Sequence, residues 1–403
     1  MCIDEEKTKI YNKRIRKTFT EKKGGIKMKN GKVQIGFIGC GGIANAKHFP
    51  GISPLKDEVD MCAFCDLIPE RAEQAAKEYG SEGAKVYTDY KELLADSDID
   101  AVHVMTPNVS HCEISVAAME AGKHVLCEKP MAATKEDAKK MLDTMKRTGK
   151  ILTIGYQYRH FDVNKTAKNV VDEGYLGDIY YAEATNLRRR GVPTWGVFAD
   201  KSKQGGGALI DIGTHALDLT LWMMNDYDVD YVVGTAYEKL GKLLKPEEQG
   251  QMKWDKSGED PWNNETFDVD DLSVGMIKMK SGATIFLKAA WAVNIDEKAG
   301  ANSEATVLLA GTKGGLNTID SQVRLNHIVA NRKTVSYVGD VAVAELPGFS
   351  NSKPTESAEA RIWVDAIKGS GEVFVTAEQA YTVSAILDSI YESSKTGKPV
   401  YFE

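Results

Sequence analysis

Short apolar runs alternate with helical patterns over the first half of the chain. Residues 33–39 predict a buried strand, followed by a glycine-rich turn and a helix beginning near Gly42. Residues 59–65 read as the next strand, and 69–79 as a helix with Ala72, Ala75 and Ala76 packing inward. Strands over 86–87, 101–105 and 124–126 continue the series, with helices over 110–121 and 135–148, and 151–155 closes it. This rhythm calls for an α/β fold with a doubly wound parallel sheet, whose ligands bind at the carboxyl ends of the strands.

From about residue 156 the rhythm changes. A helix over 164–173 precedes a strand over 179–186, and a helix over 208–224 follows. Strands are predicted over 231–237, 272–279, 284–291 and 305–310, with turn residues Ser281-Gly282 and Lys313-Gly314-Gly315 among them. That is hairpin text, so the second half reads as an α+β domain on an open, mostly antiparallel sheet. Residues 239–268 form a polar excursion near the cleft, and helices over 356–368 and 376–393 close the chain. The division is therefore 1–29, 30–155 and 156–403, with the last helices free to pack back on the first domain.

Two domains suit 403 residues, since single cores rarely exceed about 250–300 residues. A net charge of −7 argues against nucleic acid or an anionic membrane as partner. No apolar run approaches the ~20 residues of a membrane span. Residues 1–29 differ: ten Lys and Arg against four Asp and Glu give a local +6, leaving −13 elsewhere. This basic stretch lacks the apolar region of a secretory signal and reads as a disordered extension. Cys2, Cys40, Cys62, Cys65, Cys112 and Cys127 sit mostly in apolar text, as reduced core cysteines do, which favours the cytoplasm. Cys62 and Cys65 are spaced as C-x-x-C but lie within one strand, so they read as two small hydrophobes.

The chemistry begins at Gly39-Cys40-Gly41-Gly42-Ile43-Ala44, which fits G-x-G-x-x-A between a strand and a helix. Gly39 permits the tight turn, Gly41 lets a pyrophosphate approach the backbone, and Ala44 allows close helix packing. Asp66 ends the second strand, where a carboxylate accepts both ribose hydroxyls and repels a 2′-phosphate. NAD is therefore favoured over NADP, although Arg71 nearby leaves NADP use open. Thr106-Pro107-Asn108 closes a strand on the nicotinamide side, and His111 opens the next helix. Glu128-Lys129-Pro130 follows an apolar run, and Asp211 and His215, at i and i+4, share a helix face. Lysine, aspartate and histidine beside a nicotinamide suit removal of a proton from an alcohol as hydride leaves its carbon. The histidines show no metal-ligand spacing, so no metal site is expected.

In this order, these motifs resemble the Gfo/Idh/MocA family, named after glucose–fructose oxidoreductase and inositol dehydrogenase. The resemblance covers about residues 32–403. It implies an NAD-binding Rossmann domain over 30–155 and a substrate-binding and oligomerisation domain over 156–403. It also implies NAD(P)-dependent oxidation or reduction of sugars, glycosides or cyclitols. Lys129 matches the family's catalytic lysine, and Asp211 and His215 match its inositol-dehydrogenase-like pair. Some members carry tyrosine where this chain has His215. The cofactor set is then Gly39, Gly41, Gly42, Ile43, Asp66, Thr106, Pro107, Asn108, His111, Glu128 and Lys129. The open sheet implies a homo-oligomer, a dimer, tetramer or hexamer, because a large exposed sheet face needs covering.

His215, with a reference pKa of ~6.5, can take a proton near neutrality; Lys129, with a reference of ~10.4, either loses its proton beside the cofactor or polarises the alcohol as an ammonium. Which accepts first is open at this point. Substrate contacts are expected from Tyr158, Arg159, Arg190, Trp195, Asp211 and His215, with His160 toward the cleft and Trp262, Asn263 and Asn264 covering it. Together these point to an NAD-dependent dehydrogenase of a pyranose sugar or glycoside, with C3 as the favoured carbon. The alternatives are an NAD-recycling glycoside-cleaving enzyme, a cyclitol dehydrogenase and a non-catalytic NAD-binding sensor.

Overall fold

Two sheets organise the computed structural model, which describes residues 28–193, 195–244, 267–295, 305–319, 322–338 and 357–403. The first holds β1 (Val33–Ile38), β2 (Val59–Cys65), β3 (Lys85–Tyr87), β4 (Ala101–Val104), β5 (His124–Cys127) and β6 (Leu152–Ile154), in the order β3-β2-β1-β4-β5-β6. All its pairings are parallel. The strand order reverses between β1 and β4, so the loops after them open side by side at the carboxyl ends. Gly39 makes their approach feasible: its φ is +93° and a Cβ there would lie 2.6 Å from the Met105 carbonyl oxygen.

The second sheet has nine strands in the order β14-β13-β12-β11-β7-β10-β9-β8-β15. They are β7 (Ile179–Leu187), β8 (Val229–Tyr237), β9 (Leu272–Met279), β10 (Thr284–Ala290), β11 (Thr306–Gly311), β12 (Gly315–Ile319), β13 (Gln322–Val329), β14 (Arg332–Val338) and β15 (Val400–Tyr401). Its pairings are antiparallel except β7 with β10. Along β9 and β10, buried residues alternate with more exposed ones, as a sheet with one packed face requires. The opposite face carries Val274, Met276 and Leu308 half-buried and Phe286 exposed.

Four strands, β12 to β15, and the helices Tyr90–Ala95 and Lys201–Gln204 escape the sequence pattern. β13 buries Val323 and Leu325 but exposes Ile328 and Val329, and β14 exposes Val335 and Tyr337, so their apolar residues do not mark a core face. Tyr90–Ala95 is too short for a helical period to declare itself; Asp89 caps it by accepting the Lys91 N–H at 2.8 Å.

The C-terminal helix Ser357–Ile367 packs against the first domain: Ala360, Trp363, Val364 and Ile367 share a core with Phe37, Phe49 and Phe64. The following helix, Ala377–Thr396, lies on the second sheet against β8. The basic stretch up to residue 27, Thr194, and Trp262, Asn263 and Asn264 lie outside the described residues. No helix among the described residues is long and apolar enough to cross a membrane.

Candidate active site

The glycine loop leaves β1 and enters a helix whose first turn is wide: the Phe49 N–H bonds the Ala44 carbonyl five residues back. A Cβ at Gly41 or Gly42 would meet nothing within 4 Å, so the loop backbone faces open space. Asn45 Nδ2 donates to the Cys40 and Gly41 carbonyls at 3.0 and 2.9 Å and fixes the turn. Asp66 braces it from β2, accepting the Cys40 N–H at 2.7 Å and the Ile68 N–H at 2.9 Å. Around it, Ile43, Ile68 and Val109 are exposed and Leu67 is 90% exposed. Bare apolar side chains flanking a braced glycine loop and a carboxylate fit a dinucleotide, with pyrophosphate on the loop amides and ribose on Asp66. Leu67, Ile68 and Asn45 are missing from the sequence reading; position directly after the strand-ending acid is the signal that marks the first two.

The loop after β4 is tied across the cleft. Asn108 Nδ2 donates to the Gln204 carbonyl of the second domain at 3.0 Å, and Ser110 Oγ donates to Thr106 Oγ1 at 2.7 Å and to the Pro107 carbonyl at 2.7 Å. His111 is fully buried, with its ring nitrogens 2.8 Å from the Pro130 carbonyl and 2.9 Å from the Thr106 carbonyl. It joins this loop to the one bearing Lys129 and is too buried to touch a cofactor. Burial holds its pKa down although both carbonyl contacts favour the charged ring.

Glu128 also departs from a cofactor contact. Its carboxylate lies beneath Lys129, bonded to Lys47 Nζ and His48 Nε2 at 2.8 Å each and accepting the Lys129 N–H at 3.0 Å. Burial opposes that charge, but Lys47 and His48 outweigh it and hold the carboxyl well below the usual range. The Lys129–Pro130 peptide is cis.

Lys129 crosses to the second domain, donating from Nζ to Asp211 Oδ1 at 2.9 Å and to the Asp211 carbonyl at 3.0 Å. Asp211 lies in a π-helical turn, Leu209–Gly213, where the Thr214 N–H bonds the Leu209 carbonyl five residues back. Such turns are rare and concentrate at functional sites. Asp270 anchors the turn, accepting the Gly207 and Leu209 N–H groups at 2.7 and 2.9 Å and the Tyr391 hydroxyl at 2.6 Å. Trp291 Nε1 donates to Asp211 Oδ2 at 2.9 Å. Burial pushes the Asp211 carboxyl up; the charges of Lys129 and Arg188 and the hydrogen bonds from Lys129 and Trp291 overcome it, so it stays below the usual range.

His215 stacks on Tyr158, with ring centroids 4.3 Å apart and planes at 15°. Its Nδ1 is buried without a hydrogen-bond partner among the described residues. Burial first, and the Lys129 charge second, push its pKa down to about 3. The ring is therefore neutral near pH 7.

The remaining expected substrate contacts divide. Arg159 does not face the cleft: it is fully buried, with Nε and Nη2 on Asp218 at 2.9 and 2.5 Å and Nη1 on Gln379 at 2.7 Å. A charge this deep needs a carboxylate, and Asp218, one helical turn beyond Thr214, supplies it. His160 is also turned inward, against Phe374 at 4.8 Å. Arg190 lies at the rim, donating from Nη2 to Asn294 at 2.8 Å, and Trp195 packs edge-on to Phe198 at 5.9 Å. Arg188 is the arginine of that cluster whose charge reaches Asp211. The parallel pairing of β7 and β10 explains this: Leu187 faces Ala290, so the next residues, Arg188 and Trp291, emerge together at the same strand ends.

Cys40, Cys62, Cys65, Cys112 and Cys127 are free thiols, and burial pushes the first four up to about 12. Cys62 and Cys65 are thus unreactive core residues.

Comparison with known proteins agrees with this geometry. Residues 33–156 match the oxidoreductase family with an NAD-binding Rossmann fold, and residues 164–317 match the GFO/IDH/MocA C-terminal domain. The D-glucoside 3-dehydrogenase of Escherichia coli (strain K12) is 31% identical over 373 residues, 93% of this chain and 98% of that protein. The levoglucosan dehydrogenase of Pseudarthrobacter phenanthrenivorans is 29% identical over 350 residues, 82% of this chain and 86% of that protein. A solved levoglucosan dehydrogenase complex with NADH and L-sorbose superposes with a TM-score of 0.75 at 26% identity, covering 92% of this chain and 98% of that one. The chain belongs to the Gfo/Idh/MocA family of NAD-binding oxidoreductases.

Proposed function

We propose that this oxidoreductase of sugars or glycosides oxidises a ring secondary hydroxyl of a pyranose, C3 being favoured, to the ketone. The observation that carries the reading is the Lys129–Asp211 pair, 2.9 Å apart, beside a neutral His215 at the mouth of the glycine-loop domain. Bound NAD supplies the two-electron acceptor for the hydrogen on carbon. Lys129 directs its ammonium at the alcohol oxygen and stabilises the charge that grows there. His215 accepts the hydroxyl proton, and Asp211, ionised at neutral pH, favours the imidazolium that results. Trp291 and Lys129 orient the Asp211 carboxylate, whose lone pairs hold a neighbouring sugar hydroxyl. Gly39, Gly41, Gly42, Ile43, Asp66, Thr106, Pro107 and Asn108 form the cofactor side; Tyr158, Arg188 and Trp195 line the sugar side.

The choice of C3 draws on the likeness to a D-glucoside 3-dehydrogenase, 31% identical over nearly the full length of both chains. The five free thiols suit a reducing compartment such as the cytoplasm. The half-covered face of the nine-stranded sheet, with Val274, Met276, Phe286 and Leu308, suits a homo-oligomer.

The test is incubation of the purified protein with NAD and a panel of glucosides, free sugars, sugar acids and cyclitols, following NADH absorbance. A glucoside should give NADH and a 3-keto product identified by carbon NMR, and both should vanish in Lys129→Met and His215→Phe. Reduction of NAD by cyclitols alone would overturn the pyranose assignment. Glycoside cleavage without accumulated NADH would replace it with internal recycling of the cofactor.

A further inference from the structure

The helix Ser357–Ile367 brings one carboxylate into the first domain's interior. Glu359 Oε2 meets Lys47 Nζ at 2.9 Å, and the same Nζ meets Glu128 Oε1 at 2.8 Å. The other oxygen of Glu128 accepts the backbone N–H of Lys129 at 3.0 Å. Side chains from three distant parts of the sequence thus end on the backbone of the candidate catalytic lysine. Their side chains are 12%, 8% and 6% exposed for Glu359, Lys47 and Glu128, so water screens them little.

Glu359 adds a second carboxylate to a cluster in which Lys47 and His48 already bond Glu128. Burial opposes the charge on Lys47, but Glu128 and Glu359 together hold the ammonium well above its ordinary value. Space for the trio depends on Gly155, where a Cβ would lie 3.0 Å from Lys47 Nζ and 3.1 Å from Glu128 Oε1. Among the described residues, the second oxygen of Glu359 has no protein partner, and neither do His160 Nδ1 and Trp363 Nε1. All three residues line one small cavity of about 10 Å³, room for a single water. Trp363 would donate to that water, and Glu359 and His160 would accept from it, so an isosteric amide at 359 fits the same space.

We propose that Glu359 is a positioning residue for the reaction, acting through Lys47 and Glu128 to fix the backbone of Lys129. It touches neither substrate nor cofactor. Its negative charge favours the protonated form of His215, and its helix couples the end of the chain to the cleft. The inference rests on the dehydrogenase reading only for its kinetic consequence.

The experiment compares Glu359→Gln, Glu359→Asp and Arg361→Ala in the full chain. Arg361, on the same helix, pairs with Glu58 at the surface, 2.7 Å away, and serves as a docking control. Glu359→Gln should lower kcat about tenfold through misplacement of Lys129, with KM for NAD within about twofold. The acid limb of its kcat/KM profile should move to lower pH by about half a unit. Glu359→Asp should recover part of kcat, and Arg361→Ala should lower Tm while leaving kcat unchanged. A Glu359→Gln enzyme with wild-type kcat and an unmoved profile would overturn the proposal, as would an equal loss in Arg361→Ala. A second readout needs no substrate: labelling of Lys129 by acetic anhydride across pH, read by peptide mass spectrometry. Its profile should move to lower pH in Glu359→Gln; an unmoved profile counts against Glu359 even if the protein oxidises none of the sugars. A profile that moves in Glu359→Gln while wild type oxidises none of the sugars would uphold the role of Glu359 and overturn the dehydrogenase reading alone.

Discussion

Trp291 and Asp211 share a hydrogen bond of 2.9 Å, indole N–H to carboxylate, and it fixes which oxygen of Asp211 faces the candidate lysine. With Oδ2 taken by the indole, Oδ1 is left for Lys129 Nζ at 2.9 Å. Trp291→Phe keeps an aromatic ring in the fully buried position but removes this donor. A hydrogen bond to a charged group contributes about 1.5–3 kcal/mol, so kcat/KM for the sugar should fall roughly ten- to hundredfold. NADH binding, followed by fluorescence, should be unchanged, because Trp291 belongs to the second sheet. Equal losses in cofactor and sugar binding would show that the ring supports the fold rather than the carboxylate.

Asp66 has two tasks that one substitution separates. Its Oδ2 accepts the Cys40 N–H at 2.7 Å and so shapes the glycine loop, while its charge repels a 2′-phosphate. Asp66→Ser retains a short oxygen acceptor but loses the charge. KM for NAD should rise about tenfold, and the preference for NAD over NADP should shrink by a similar factor. Steady-state kinetics with both cofactors checks this; an unchanged ratio would assign cofactor choice to other residues.

Much of this was legible from residue order. The β–α alternation up to residue 155 gave the parallel sheet because buried parallel strands are continuous apolar runs, such as Val33–Ile38, bounded by turns. Lys129 and Asp211, which the structure pairs, could be singled out because each stands in a local motif. Arg159 and Glu128 went astray for one reason: a polar residue in a cleft-side motif looks the same whether it faces ligand or a buried partner. Asp218 and Lys47, which claim them, lie 59 and 81 positions away in sequence. Trp291 was invisible because only the parallel register of β7 and β10 brings it to Arg188 and Asp211.

Arg159 provides a direct check of that correction. Its bidentate bond to Asp218 is buried on both sides, so Arg159→Met leaves an uncompensated carboxylate. Breaking a buried pair in this way costs about 3–5 kcal/mol. Denaturant unfolding should show the loss, while KM for the sugar in the surviving folded enzyme stays within about twofold. A selective rise in that KM with full stability would return Arg159 to the substrate.

Stability against pH follows from five histidines that burial holds below their ordinary pKa: His103, His111, His124, His160 and His215. Burial pushes His215 down to about 3 and His124 and His160 down to about 4, from an ordinary 6.5. Their folded pKa values lie below the unfolded ones, so between them the unfolded chain binds more protons. The stability from keeping the rings neutral is fully present above about pH 6.5 and is lost as pH falls toward 4. Each ring steepens the loss by up to about 1.4 kcal/mol per pH unit. His124 shows why at atomic scale: its Nδ1 accepts the Ile151 N–H at 3.0 Å, and a proton there would set two hydrogens face to face. Buried carboxylates add to the trend only below about pH 4.5, so the interval between 6.5 and 4.5 reports the histidines. Tm should decline across that interval, and His124→Gln, whose amide oxygen can take over from Nδ1, should flatten the decline by about a fifth. A Tm constant from pH 7 to 4.5 would mean that the rings titrate in the folded protein as they do in the unfolded chain, so that burial does not hold them neutral.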